Sequence, residues 1–261
     1  MIAHFWPNAH ALVTGAGSGI GAATALALGQ AGVRVSLAGR RMDALKRTAA
    51  LLGDRAAAAV VAIDVTDETA VADGIARIEA EAGPIDILVN NAGKAASAPF
   101  EKTDAALWSD MLASNLSSVF LVTRAVLPGM AQRGRGRVIN VASTAGLTGY
   151  AYVSAYVAAK HGVVGLTRAL ALEYARRGVT VNAVCPGYTD TPLVAEAAAN
   201  IVAKTGRSED EARAALAKVN PMQRLVTPEE VADTILWLAS AGASAINGQA
   251  VAVAGGEVLT G

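Results

Sequence analysis

An excess of charge of either sign is missing from this chain: 22 Lys and Arg balance 22 Asp and Glu over 261 residues. No global positive field recruits nucleic acid or an acidic membrane, so partners must be recognised locally. Cysteine is nearly absent. The single Cys185 can form no internal disulfide, which fits a reducing compartment. With no histidine beside it in sequence, it reads as a small buried filler and not a nucleophile. His4, His10 and His161 fall in no spacing that suits zinc, so no metal site is expected. Aromatics are 4% of residues against 53% hydrophobic, which puts the core on Ala, Val and Leu; Trp6, Trp108 and Trp237 read as packing residues. Before the first strand, His4, Pro7, Asn8 and His10 interrupt any apolar run, so no secretory signal and a cytoplasmic location are expected. The longest uncharged stretch, Val138 to Ala159, carries Asn140, Ser143, Thr144, Thr148, Tyr150, Tyr152, Ser154 and Tyr156, and reads as strand, loop and helix start instead of a membrane span.

What is present is an alternation. Short β-branched runs centred on Leu12, Val35, Val61, Leu88, Ile139, Val181 and Val251 alternate with alanine-rich segments, the pattern of a doubly wound α/β fold with a parallel seven-stranded sheet covered on both faces. Helices are expected at 19–31, 41–53, 67–82, 104–131 with a break, 154–176 and 228–240. The helix from Ser154 carries apolar residues on several faces and is expected to be buried around its circumference, one face being available to another subunit. The GRGR patch at 134–137 reads as a surface turn. One unit, 1–261, is expected, with an insertion at about 190–222 that breaks the alternation.

Two local patterns carry chemistry. After Ala11, Leu12 and Val13 come Thr14, Gly15, Gly17, Ser18, Gly19, Ile20 and Gly21, a strand-to-helix turn whose glycines let the backbone approach a pyrophosphate at the helix start. Downstream, Ser143, Tyr156 and Lys160 are spaced Ser-x12-Tyr-x3-Lys. Tyr156 and Lys160 lie one helical turn apart. At about 4 Å and an effective dielectric of about 20, the ammonium favours the phenolate by roughly 4 kcal/mol, so the Tyr156 pKa is expected to fall by about three units.

Together these motifs resemble the short-chain dehydrogenase/reductase family in its single-domain branch, from TGAGSGIG (14–21) through NNAG (90–93) to CPG (185–187). The resemblance implies a Rossmann fold and reversible hydride transfer between nicotinamide and a carbonyl or secondary alcohol. Tyr156 would be the acid/base, Ser143 would fix the carbonyl oxygen, Lys160 would hold the ribose, and Asn115 would hold a water on the proton path. Asn91, Ala92, Gly93, Pro186, Gly187, Thr189 and Thr191 would face the cofactor, with Asp64 and Val65 bordering the adenine. Thr189 stands where a branched aliphatic is common. Asp64 and Thr66 also compete as caps of the following helix. The resemblance further implies a tetramer, and a 190–222 insertion that closes over the substrate.

Cofactor choice is argued from the second strand, which ends in Gly39, Arg40 and Arg41. No carboxylate stands there to bind ribose hydroxyls, and two guanidiniums suit a 2′-phosphate, so NADP is preferred to NAD, although Ser18 stands where many NADP-using relatives carry a base. The expected pocket residues, Ala95, Ala96, Ala145, Leu147, Tyr150, Val153, Tyr188, Leu193 and Val194, form a mostly apolar set. YVAAKHG (156–162) and CPGYTDTPL (185–193) look like 3-hydroxybutyrate dehydrogenases, but Ala95, Ala145 and Val153 fall where those relatives bind a free carboxylate. A 3-oxoacyl thioester, possibly coenzyme-A-linked as in related thioester reductases, is therefore the preferred substrate. Two alternatives stand beside it: an NAD-dependent dehydrogenase of a cyclic or aromatic alcohol, and a non-catalytic cofactor-sensing regulator. Sugar-nucleotide epimerases use a similar Tyr and Lys but carry a larger C-terminal domain.

Overall fold

The structure, a computed structural model, describes residues 4–54 and 56–259; residues 1–3, 55, 260 and 261 of the expected 1–261 unit lie outside the described residues. Seven parallel strands form one sheet: β1 (His10–Thr14), β2 (Arg34–Gly39), β3 (Ala57–Ala62), β4 (Ile87–Asn90), β5 (Gly136–Val141), β6 (Val179–Pro186) and β7 (Ala250–Val253). Their order is β3-β2-β1-β4-β5-β6-β7, so the winding reverses between β1 and β4 and opens a crevice at the strands' carboxyl ends.

The helices are α1 (Gly19–Gln30), α2 (Met42–Leu52), α3 (Glu68–Ala82), α4 (Ala105–Leu112), α5 (Ser118–Arg133), α6 (Ser154–Tyr174), α7 (Pro192–Thr205), α8 (Glu209–Ala217) and α9 (Pro228–Ala239). Strand side chains alternate between two cores, as a pleated strand requires. Ala11, Val13, Val35, Leu37, Ile87, Val89 and Ile139 pack with Leu28, Leu45, Val231 and Ile235 from α1, α2 and α9. Leu12, Leu88 and Val138 point the other way and pack with Ile75, Val122, Val126 and Ala171 from α3, α5 and α6. Burial on both faces is why the strands read as unbroken apolar runs in the sequence.

The expected break in 104–131 is a π-helical turn at Ala113–Ser117, between α4 and α5. The run Ala105–Arg133 has the length and composition of a membrane span, but Val119, Val122, Val126, Leu127 and Met130 are buried against the sheet and neighbouring helices. The 190–222 segment forms α7 and α8 and is closed at its neck: Asp190 N–H donates to the Val226 carbonyl at 2.8 Å and Val226 N–H to the Tyr188 carbonyl at 2.9 Å.

Several expectations are corrected. Asp67, not Asp64 or Thr66, caps α3, its carboxylate accepting from Ala70 N–H at 2.9 Å. Arg137 of the GRGR patch is buried in β5, with its guanidinium 4.9 Å from the Trp6 ring centre. Trp6 therefore packs against cations, while Trp108 and Trp237 are 40% and 46% exposed. In the single chain, helix α6 carries an open stripe of His161, Gly165, Arg168, Ala169 and Leu172, a face of the kind expected to be available to another subunit. His10 is a satisfied core histidine, its Nδ1 2.8 Å from the Gly83 carbonyl and its Nε2 2.7 Å from the Ser36 hydroxyl, and burial lowers its pKa. No cluster of three or more His, Cys, Asp or Glu that could hold a metal occurs among the described residues.

Candidate active site

A cavity of about 1190 Å³ occupies the crevice and runs from the β1–α1 turn, past β4 and β5, to α7. Its first wall is the glycine turn. Gly15 and Gly19 have φ of 65° and 53°, conformations that favour glycine, and a Cβ at Gly15 would come within 2.9 Å of Ala92 Cα. Ser18 occupies the N-cap of α1 in an extended conformation, but its side chain caps nothing. The first N–H groups of α1 are thus left for an anion, which is the fit expected of a pyrophosphate. Gly21 does not line the cavity. A Cβ there would strike the Asn91 side chain and the Gly15 carbonyl, so its role is to let α1 pack on the turn.

The remaining residues expected to face the cofactor all line this cavity: Ser18, Ile20, Arg40, Arg41, Asp64, Val65, Asn91, Ala92, Gly93, Pro186, Gly187, Thr189 and Thr191. Thr14 ties two of these segments together, its Oγ1 accepting from the N–H groups of Asn91 and Ala92 at 3.0 and 3.1 Å. Asn91 Nδ2 returns a bond to the Thr14 carbonyl at 3.0 Å. Asp64 accepts from the Thr66 N–H and hydroxyl, which lowers its pKa. Arg40 and Arg41 are exposed at the mouth and form no salt bridge among the described residues.

Ser143, Tyr156, Lys160 and Asn115 meet in the middle of the cavity. Ser143 follows the end of β5, and its hydroxyl accepts from Ala145 N–H at 3.1 Å. Lys160 is buried on α6, one turn after Tyr156, with Nζ donating to the Val141 carbonyl at 2.9 Å and standing 5.6 Å from the Tyr156 ring centre. The expected fall in the Tyr156 pKa is not found. Burial pushes the phenol up to about 12 against an opposing contribution from the Ser143 hydroxyl, and Lys160 is itself pushed down to about 8 by burial. Burial dominates at both groups, so the phenol holds its proton near neutrality.

Asn115 sits in the π-helical turn, with Nδ2 donating to the Met111 carbonyl at 3.0 Å and Oδ1 accepting from Lys94 N–H at 3.2 Å. Behind it, Asn90, Asn140, Thr123 and Thr167 form a buried polar chain with three links of 2.9 Å, tying β4 and β5 to α5 and α6.

Of the expected substrate residues, Ala95, Ala96, Ala145, Tyr150, Val153, Tyr188, Leu193 and Val194 line the cavity; Leu147 packs instead into the core between α5 and α6. Two side chains escape the sequence reading. Lys94 lines the cavity and pairs with Asp110 at 2.6 Å; extending the NNAG motif by one residue would find it. Glu257 lies behind the wall and accepts the Tyr150 hydroxyl, and no local spacing in the sequence signals it.

A helix start that takes an anion, opening on the same cavity as a serine, a protonated tyrosine and a buried lysine, defines a nicotinamide-dependent oxidoreductase of carbonyls and alcohols. Residues 9–222 match the family model for short chain dehydrogenases, and the chain belongs to that family. It is 44% identical over 248 residues to the cis-4-hydroxycyclohexanecarboxylate dehydrogenase of Sinomonas cyclohexanicum, covering 94% of this chain and 95% of that one. It is 39% identical over 247 residues to the acetoacetyl-CoA reductase of Rhizobium meliloti (strain 1021), covering 95% and 97%. Among solved structures, a variant of actinorhodin polyketide ketoreductase with NADPH matches with a TM-score of 0.92 at 40% identity, covering 96% of this chain and 97% of that one.

Proposed function

We propose that this oxidoreductase uses NADP(H) and reduces 3-oxoacyl thioesters. The observation that carries the substrate class is the character of the cavity beyond Ser143 and Tyr156. Ala95, Ala145, Val153 and Leu193 give an apolar wall, and the cations on the lining are Arg40, Arg41, Lys94 and Lys160. Lys94 is paired with Asp110, and Lys160 is turned to the Val141 carbonyl, so neither is free to hold a substrate carboxylate. An uncharged acyl group needs no such cation. The acetoacetyl-CoA reductase among its relatives agrees with this class.

The nicotinamide supplies or accepts the hydride when bound. The residues of the chain do the rest. The glycine turn and the start of α1 would hold the pyrophosphate, and the free guanidiniums of Arg40 and Arg41 would hold a 2′-phosphate. Ser143 would orient the carbonyl oxygen, and Tyr156 would donate its proton to that oxygen as negative charge develops there. A phenol held protonated by burial is in the correct state for reduction at neutral pH.

The test is oxidation of NADPH and NADH with a panel of acetoacetyl-CoA, longer 3-oxoacyl thioesters and cyclic ketones. Fastest turnover is expected with NADPH and a thioester. Turnover of cyclic ketones without thioester turnover would favour the reading suggested by the cyclohexanecarboxylate dehydrogenase relative.

A further inference from the structure

Glu257 lies four residues beyond the end of β7, and its carboxylate reaches back to Tyr150 of the cavity wall. Oε1 accepts the Tyr150 hydroxyl across 107 residues of sequence. Oε2 is buried and has no hydrogen-bond partner among the described residues. A Cβ on Gly187 would stand 2.6 Å from Oε2, so the bare Cα of Gly187 is what admits the carboxylate to this position. Tyr150, Gly187 and Tyr188 line the cavity, which places Glu257 directly behind that wall. Its charge is felt through the wall: it contributes to the raised pKa of both tyrosines, after burial in each case. The lining itself carries two carboxylates, Asp64 near the glycine turn and Glu196 on α7, both exposed.

We propose that Glu257 is a specificity-determining residue: its carboxylate, held behind the wall, excludes substrates bearing a free carboxylate at the Tyr150–Tyr188 end. This rests on the ketone-reduction reading above and sharpens it, adding an active repulsion to the absence of a binding cation. A second anion brought into a wall already holding an unpaired carboxylate oxygen has no counter-charge there, whereas a neutral acyl group carries no such penalty.

The test compares acetoacetate with methyl acetoacetate, the same ketone with and without the charge, read as kcat/KM or as an inhibition constant where turnover is slow. Wild-type enzyme is expected to favour the ester by at least about tenfold, and Glu257→Gln, which keeps an oxygen acceptor for Tyr150, to shrink that preference by about tenfold. Equal use of acid and ester by wild type overturns the proposal without any variant, and so does an unchanged preference in a Glu257→Gln enzyme that binds NADPH normally. Acetoacetyl-CoA is assayed beside them. If it is not turned over while the ester preference stands, the thioester reading fails and the role of Glu257 survives; the reverse pattern removes Glu257 alone.

Discussion

Lys160 Nζ stands 5.6 Å from the centre of the Tyr156 ring while its hydrogen bond goes to the carbonyl of Val141. The lysine is thus held by the backbone at the end of β5, and the phenol is left free to face the cavity. Removing the phenol oxygen alone, in Tyr156→Phe, is expected to lower kcat by about 10²-fold to 10⁴-fold, the usual span for a positioned acid. NADPH binding, followed by nicotinamide fluorescence, should change little. Full turnover in that variant would remove Tyr156 from the chemistry.

The buried ammonium has a cost that depends on pH. Unfolded Lys160 keeps its proton to about pH 10.5, whereas the folded side chain releases it near 8. Between those values the unfolded chain binds more protons, so this group makes stability rise with pH; below 8 the full penalty of about 3 kcal/mol remains. Lys160→Met abolishes the penalty and orphans the Val141 carbonyl at a cost of about 1 kcal/mol. The variant is expected to be more stable by about 2 kcal/mol at pH 7 while losing activity. Urea melts at pH 7 and 9.5 should show the gap narrowing at the higher pH, and a gap that stays constant contradicts this account.

Under the proposed NADP preference, Arg40 and Arg41 are the residues expected to carry it. Replacing both by alanine should raise the KM for NADPH by about tenfold to a hundredfold, the loss of one or two hydrogen bonds to a charged phosphate, and leave the KM for NADH within about threefold. An equal loss with both cofactors would place the 2′-phosphate elsewhere.

Gly21 touches no part of the cavity, yet Gly21→Ala is expected to weaken cofactor binding. Its methyl would displace Asn91 Nδ2 and the Gly15 carbonyl, which shape the turn. Thermal unfolding should report a destabilisation of about 1–3 kcal/mol, the usual cost of forcing a group into a packed site. A variant with wild-type stability and wild-type cofactor affinity would contradict this role.

Phe120, Leu172 and Trp108 are 45%, 84% and 40% exposed on α5, α6 and α4. Such residues on adjoining helices are expected to be covered by further copies of the chain. Light scattering at micromolar concentration should report an oligomer, dissociated or weakened by Leu172→Glu. A monomer at that concentration would contradict the expectation.

The strand centres from Leu12 to Val251 are legible because strands buried on both faces announce themselves as apolar runs, and the motif residues because their spacing follows from one turn of backbone or helix. What escapes depends on partners distant in sequence. Arg137 looks like a surface charge until Trp6 is seen against it, and Trp108 looks like core until its exposed face is seen. The direction of the Tyr156 shift is misread from sequence because helical spacing gives proximity to Lys160 but says nothing of how far water is excluded from both. Glu257 meets Tyr150 only through the sheet's final strand, and nothing local to either residue marks the meeting.

The paired backbone bonds between Tyr188, Asp190 and Val226 pinch the α7–α8 excursion off at its base. The chain leaves and re-enters at nearly the same point, which ties the excursion to the end of β6 and the approach to α9. Thr191, Leu193 and Val194 at its start line the same cavity as Tyr156, so a change made in this cassette reaches the site's own walls directly.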